Sequence, residues 1–119
     1  MEKTIFVVDD DSFSLVVAEH VLENGFNVIT FSSAAKMFAV LEKVTPDLIL
    51  LDVEMSEMTG YEAIKLLKAS DKHSKIPVLF LSGMPDPSDE AYGIELGAKC
   101  FITKPFDEAK LKDIVINHI

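Results

Sequence analysis

Arginine is absent from this 119-residue chain: all eleven basic residues are lysines, set against twenty carboxylates for a formal net charge of −9. A nucleic-acid module needs a basic stripe to neutralise phosphates and arginines to read base edges, so direct DNA or RNA binding is not expected. Tryptophan is missing too, and cysteine occurs once, at Cys100. A single thiol makes no internal disulfide and no multi-cysteine zinc site, and within its apolar run Cys100 reads as small core filler without a redox role. Long hydrophobic runs are also lacking. "LILL" at 48–51 is far too short to cross a bilayer, and "MEKTIFVVDDD" has no signal-peptide pattern, so the expectation is a cytoplasmic protein without membrane insertion. Glycine and proline number five each against 49% hydrophobic residues, which suits one compact domain over residues 1–119. No repeat, linker or low-complexity segment interrupts it.

What is present is an alternation of two kinds of segment. "TIFVVD" (4–9), "NVITF" (27–31), "DLILLD" (47–52), "PVLFLS" (77–82) and "KCFIT" (99–103) are short runs rich in Val, Ile, Leu and Phe, and most read as strands buried on both faces. Between them lie helical stripes: Val17, Ala18, Val21 and Leu22; Ala34, Met37, Phe38 and Leu41; Ala63, Ile64 and Leu67; Leu111, Ile114 and Val115. Residues 88–96 carry a weaker stripe and read as helix chiefly because they join two strands. Strict alternation of this kind predicts a doubly wound α/β fold, a five-stranded parallel sheet with helices on both faces. Ligands in such sheets bind beyond the carboxyl ends of the strands.

The residues at those ends are polar. Asp9 and Asp10 lie at the carboxyl end of the first run with Asp11 behind them, Asp52 ends the third, Ser82 the fourth, and Lys104 the fifth, in "FITKPF". Taken alone, "DDDSF" has two readings: an acidic first turn of helix with Ser12 as cap, or a divalent metal site. Set beside Asp52, Ser82 and Lys104, the carboxylates suit Mg²⁺ or Mn²⁺, while a hydroxyl and an ammonium can meet a phosphoryl group.

"VVDDD", "LLDVEM…G", "LSG" and "TKPF", in this order on an alternating frame, resemble the receiver domain of two-component response regulators across essentially the whole chain. The resemblance implies the flavodoxin-like (βα)5 arrangement with strand order 2-1-3-4-5. It implies that Asp52 is the phosphoacceptor, attacking the phosphohistidine of a sensor histidine kinase or histidine phosphotransfer protein to form an acyl phosphate. Asp10 and Asp52 would bind Mg²⁺ directly, Asp9 largely through water, and the backbone carbonyl of Glu54 would add a ligand. Ser82 and Lys104 would engage the phosphoryl oxygens. Phe101 would turn inward as Ser82 moves, altering the face of the fourth helix, fifth strand and fifth helix, to which a partner or output domain responds. The family pattern also implies a cis Lys104–Pro105 bond. "MPDPSDEAYG" carries two prolines and Gly93, so residues 84–96 are expected to be the mobile part of the switch.

Singly, each residue has a plainer reading: Ser82 as a turn former, Lys104 as a solvated charge, Phe101 as core, Pro105 as a strand terminator. His20, His73 and His118 are scattered without ligand spacing. Two features depart from the common pattern: Ser82 stands where threonine is frequent, and Phe101 where tyrosine is frequent. Lys99 and Cys100 occupy the place of an acidic pair that in many relatives forms dimer ion pairs with arginines, so a monomer or weak dimer is expected. Two other functions compete. A haloacid dehalogenase-type phosphohydrolase needs a second Asp two residues after the nucleophile, where this chain has Glu54. A flavodoxin-like cofactor binder needs a phosphate-cradling loop after the first strand, where "DDDSF" repels phosphate.

Overall fold

Strands that are apolar at every position need cover on both faces, and five helices supply it. The computed structural model describes residues 2–83 and 85–119. Its elements alternate strictly: β1 (Lys3–Val8), α1 (Ser12–Leu22), β2 (Phe26–Phe31), α2 (Ala34–Leu41), β3 (Leu48–Asp52), α3 (Gly60–Ala69), β4 (Val78–Ser82), α4 (Pro87–Leu96), β5 (Cys100–Thr103) and α5 (Glu108–His118). All neighbouring strands pair in parallel, in the order β2-β1-β3-β4-β5. The expected doubly wound fold and strand order are therefore observed, with element bounds within one residue of the predicted strands.

Alternation along the strands divides the interior into two cores. Phe6, Val8, Ile49, Leu51, Val78 and Phe80 face one side, against Met37 and Leu41 of α2 and Ala63, Ile64 and Leu67 of α3. Ile5, Val7, Leu48, Leu50, Leu79 and Leu81 face the other, against Ala18 and Leu22 of α1 and Leu111 and Val115 of α5. Each large side chain so removed from water contributes about 1.5–3 kcal/mol before entropy is counted. Burial on both faces holds for β1, β3 and β4 but not for β2, which is mostly half-buried, nor for β5. They are the edge strands, with only one neighbour each. Cys100, on β5, is correspondingly half-buried, packed against the α1/α5 core. Burial pushes its thiol pKa up.

The helix starts are written locally. Ser33 and Asp107 cap α2 and α5, and Thr59–Glu62 and Asp86–Asp89 form capping boxes on α3 and α4. The cap of α1 is Asp11, whose side chain accepts from the Phe13 amide and the Ser14 hydroxyl, and not Ser12, which is already helical. One of the three acids thus has a structural task. The bond from Ser14 holds the Asp11 carboxyl below its usual range.

The weaker pattern over 88–96 does form a helix, extended one residue toward the N-terminus by Pro87. Its buried residue is Gly93. Met84, the first residue of the segment expected to be mobile, lies outside the described residues.

Candidate functional site

Parallel pairing brings the carboxyl ends of β1, β3, β4 and β5 to one edge, and the connections there carry the polar residues. The Asp9 amide donates to the Phe31 carbonyl at 3.0 Å, which fixes Asp9 just past β1. Its side chain is fully buried, with Oδ1 accepting from the Asp11 amide at 2.9 Å. Asp10 is exposed, and its Oδ2 accepts from the Ser56 amide at 3.2 Å, tying the β1–α1 turn to the β3–α3 loop. Asp52 closes β3 and is buried. Carboxylate oxygens of Asp9, Asp10 and Asp52 lie within 4.8 Å of one another.

Lys104 enters this acidic nest from the β5–α5 connection, just before a cis Lys104–Pro105 bond. Its Nζ stands 2.7 Å from Asp9 Oδ2 and 3.1 Å from Asp52 Oδ1. Burial alone would lower the ammonium pKa, but the bond to Asp9 and the charge of Asp52 outweigh it and hold the group above the usual lysine value. Asp52 goes the other way. Desolvation first, and then the charge of Asp9, push its carboxyl up to about 7, with Lys104 only partly offsetting them. Asp9 Oδ2 has the Lys104 ammonium as its partner, a close ion pair inside the fold. Three carboxylates offering hard oxygen donors within 4.8 Å of one another are chemically suited to a small divalent cation.

Ser82 ends β4 and is buried, and its carbonyl accepts from the Lys104 amide at 2.8 Å, joining the two loops. Its side chain borders an open cleft of about 460 Å³ shared with Glu54, Met55, Thr59, Tyr61 and Asp89. Glu54 itself is exposed in the β3–α3 loop. Phe101 lies outside the acidic nest, half-buried against Phe80, with ring centroids 5.3 Å apart. The structure therefore gathers Asp9, Asp10, Asp52 and Lys104 at one point and sets Ser82 and Glu54 at its rim. Of the acids at the end of β1, Asp9 is deeply buried and directly paired with Lys104, while Asp10 is exposed.

Over residues 5–116 the chain matches the family model described as the response regulator receiver domain. The chain belongs to that family. Among curated proteins, the alkaline phosphatase synthesis transcriptional regulatory protein PhoP of Bacillus subtilis is 36% identical over 107 residues, covering 89% of this chain and 44% of PhoP. The solved chemotaxis protein CheY4 of Vibrio cholerae superposes with a TM-score of 0.94 at 26% identity, covering all of both chains. The phosphorylated cyanobacterial phytochrome response regulator RcpA does so at 0.84 and 28% identity, over 98% of this chain and 91% of its own. The receiver domain spans only 18 to 57% of the length of the curated relatives it matches. Its family is one of two-component signalling. Among the described residues, no helix is long and apolar enough to cross a membrane.

Three residues at this receiver site carry tasks the motifs did not reveal. Thr59 caps α3, a signal readable in "TGYE" as a capping box. Gly60 lies against the β3 end: a Cβ there would overlap the Asp52 carbonyl oxygen and stand 2.9 Å from the Val53 Cα. Tyr61 lines the cleft and bears on two rings, a relation with no linear signature.

Proposed function

We propose that this receiver domain, a single unit over residues 1–119, takes a phosphoryl group onto Asp52 from the phosphohistidine of a sensor histidine kinase or a histidine phosphotransfer protein. A carboxylate oxygen of Asp52 forms the new P–O bond, the P–N bond breaks, and the imidazole departs and takes up a proton from solvent. The observation that carries this reading is the position of Asp52: buried at a strand end, 3.1 Å from the Lys104 ammonium and beside two further carboxylates. The phosphorylated state of the related RcpA supports it.

Asp9, Asp10 and Asp52, with the backbone carbonyl of Glu54, would hold Mg²⁺, or Mn²⁺ in its place. When bound, the ion offsets charge on the carboxylates and on the incoming phosphoryl oxygens. Lys104 pairs with one phosphoryl oxygen as it leaves Asp9 and Asp52, and the Ser82 hydroxyl donates to another. The shared Ser82–Lys104 backbone bond makes the two loops move together. Space opens for Phe101 to turn further inward, and the α4-β5-α5 face changes for a partner or output domain. Relatives named as transcriptional regulators support an output role for the longer proteins. Neither lysine content nor charge suits this domain itself to nucleic acid, and it acts as a monomer or weak dimer.

Intact mass after incubation with acetyl phosphate and Mg²⁺ tests the reading. One added phosphoryl group is expected, absent in EDTA and absent in Asp52→Asn. Retention of the added mass in that variant sinks the assignment. The ion has its own test. Mg²⁺ should raise the melting temperature by mass action, because it binds the folded chain, and Asp10→Asn should lose most of that rise. An unchanged response in Asp10→Asn would put the ion elsewhere.

A further inference from the structure

Helix α4 is held differently from its neighbours. The other four bury aliphatic stripes, whereas α4 buries Gly93 and leaves Tyr92 and Ile94 40% and 48% exposed. Aromatic rings grip it instead, at two adjacent residues and from two different elements. Tyr61 of α3 meets Tyr92 edge to face, with centroids 4.9 Å apart at 71°, and Lys65, one turn further along α3, stands 6.0 Å from the same ring. On the other side Phe101 of β5 packs against Gly93, where a Cβ would overlap its Cε1 and lie 2.6 Å from its Cζ. The two grips share a base, Phe80. Its ring is T-shaped to Tyr61, at 5.4 Å and 81°, and tilted to Phe101, at 5.3 Å and 52°. Phe80 sits two residues before Ser82 on β4, and Tyr61 also lines the cleft beside Ser82.

From this array we infer that Tyr61 is a positioning residue through which the cleft at Ser82 sets the placement of α4, a second path beside Phe101. It rests on the reading of Asp52 as phosphoacceptor. Inward rotation of Phe101 releases only the Gly93 side, and Tyr92 stays fixed to α3 until Tyr61 shifts. Whatever draws Ser82 toward Asp52 reshapes the cleft wall that Tyr61 forms and moves Phe80 beneath it. The ring and not the hydroxyl makes both contacts, so phenylalanine should serve at 61.

Hydrogen exchange over 85–96 and over 52–59, with and without beryllofluoride as phosphoryl mimic, tests the inference. In the parent and in Tyr61→Phe, beryllofluoride should change exchange in both segments. In Tyr61→Ala, 85–96 should exchange about tenfold faster without the mimic, a local loosening, and the further change on adding it should vanish there while persisting over 52–59. A merely structural role would speed exchange in both states and leave the difference intact; that result overturns the inference and spares the phosphoacceptor reading. No response in the parent at either segment overturns both. Should Tyr61→Ala fail to fold, Tyr92→Ala removes the partner ring from a surface position. It must lose the same difference over 85–96 for the inference to stand.

Discussion

Freed of divalent metal at pH 8, Asp52→Asn should melt at a higher temperature than the parent protein. An ionised Asp52 is costly in the fold because it is desolvated and faces Asp9, and Lys104 offsets only part of that cost. Its folded pKa, about 7, lies above the ordinary value of 3.8. The sign follows from proton binding. Below about pH 4 both folded and unfolded chains carry the proton and nothing is lost. Between there and about pH 7 only the folded chain holds it, so stability falls as pH rises, and above pH 7 the loss is complete. Asparagine keeps the shape without the charge. The variant's advantage should therefore be near zero at pH 4 and level off above pH 7 at about 1–3 kcal/mol, a figure reduced for the solvent reaching the cleft mouth. Saturating Mg²⁺ should reverse the order, since the parent then gains a bound cation that the variant holds poorly. Melting curves in EDTA at pH 4 and pH 8 are the measurement. A variant less stable than the parent at pH 8 would mean that Lys104 more than balances burial.

Gly60→Ala should be among the most damaging single-methyl additions in the chain. Helix propensity alone favours alanine over glycine by about 1 kcal/mol within a helix, so an isolated view predicts stabilisation. Packing reverses it. The new methyl would meet the Asp52 carbonyl oxygen and the Val53 Cα, backbone atoms of a fully buried strand end that cannot rotate aside. The Gly60 amide also donates to the Val53 carbonyl at 2.9 Å, so the contact cannot open without breaking that bond. Overpacking against backbone should cost about 2–4 kcal/mol, a fall of roughly 8–15 °C in melting temperature for a domain of this size. Phosphoryl uptake should slow as well, because the displaced atoms belong to Asp52. Melting within about 2 °C of the parent would show that the strand end has slack.

Most of this architecture is legible in the sequence because doubly covered parallel strands must be apolar at every position. "LILLD" and "VLFLS" announce β3 and β4, and the polar residue that ends each run is where the solvent-facing edge begins. The edge strands are fainter for the same physical reason, having less to bury. Asp9, Asp52, Ser82 and Lys104 stand out by position at strand ends, which topology alone converts into proximity. Relations between side chains on separate elements stayed hidden. Nothing linear tells that Lys104 reaches Asp9 at 2.7 Å, or that Asp11, one of three identical acids, serves the backbone of α1. Gly93 read as a weak point of α4, yet its missing side chain is the space that Phe101 occupies.

The sheet also acts as a partition. Its two faces carry separate cores, α2 and α3 on one and α1 and α5 on the other, and among the described residues no buried side chain is common to both. Substitutions distant from the strand ends but on opposite faces have no shared packing neighbours, so their effects on stability should add. One face can then drift to suit a new partner while the other stays unchanged. The edge carrying Asp52 is where that independence ends, since strands serving both cores finish there.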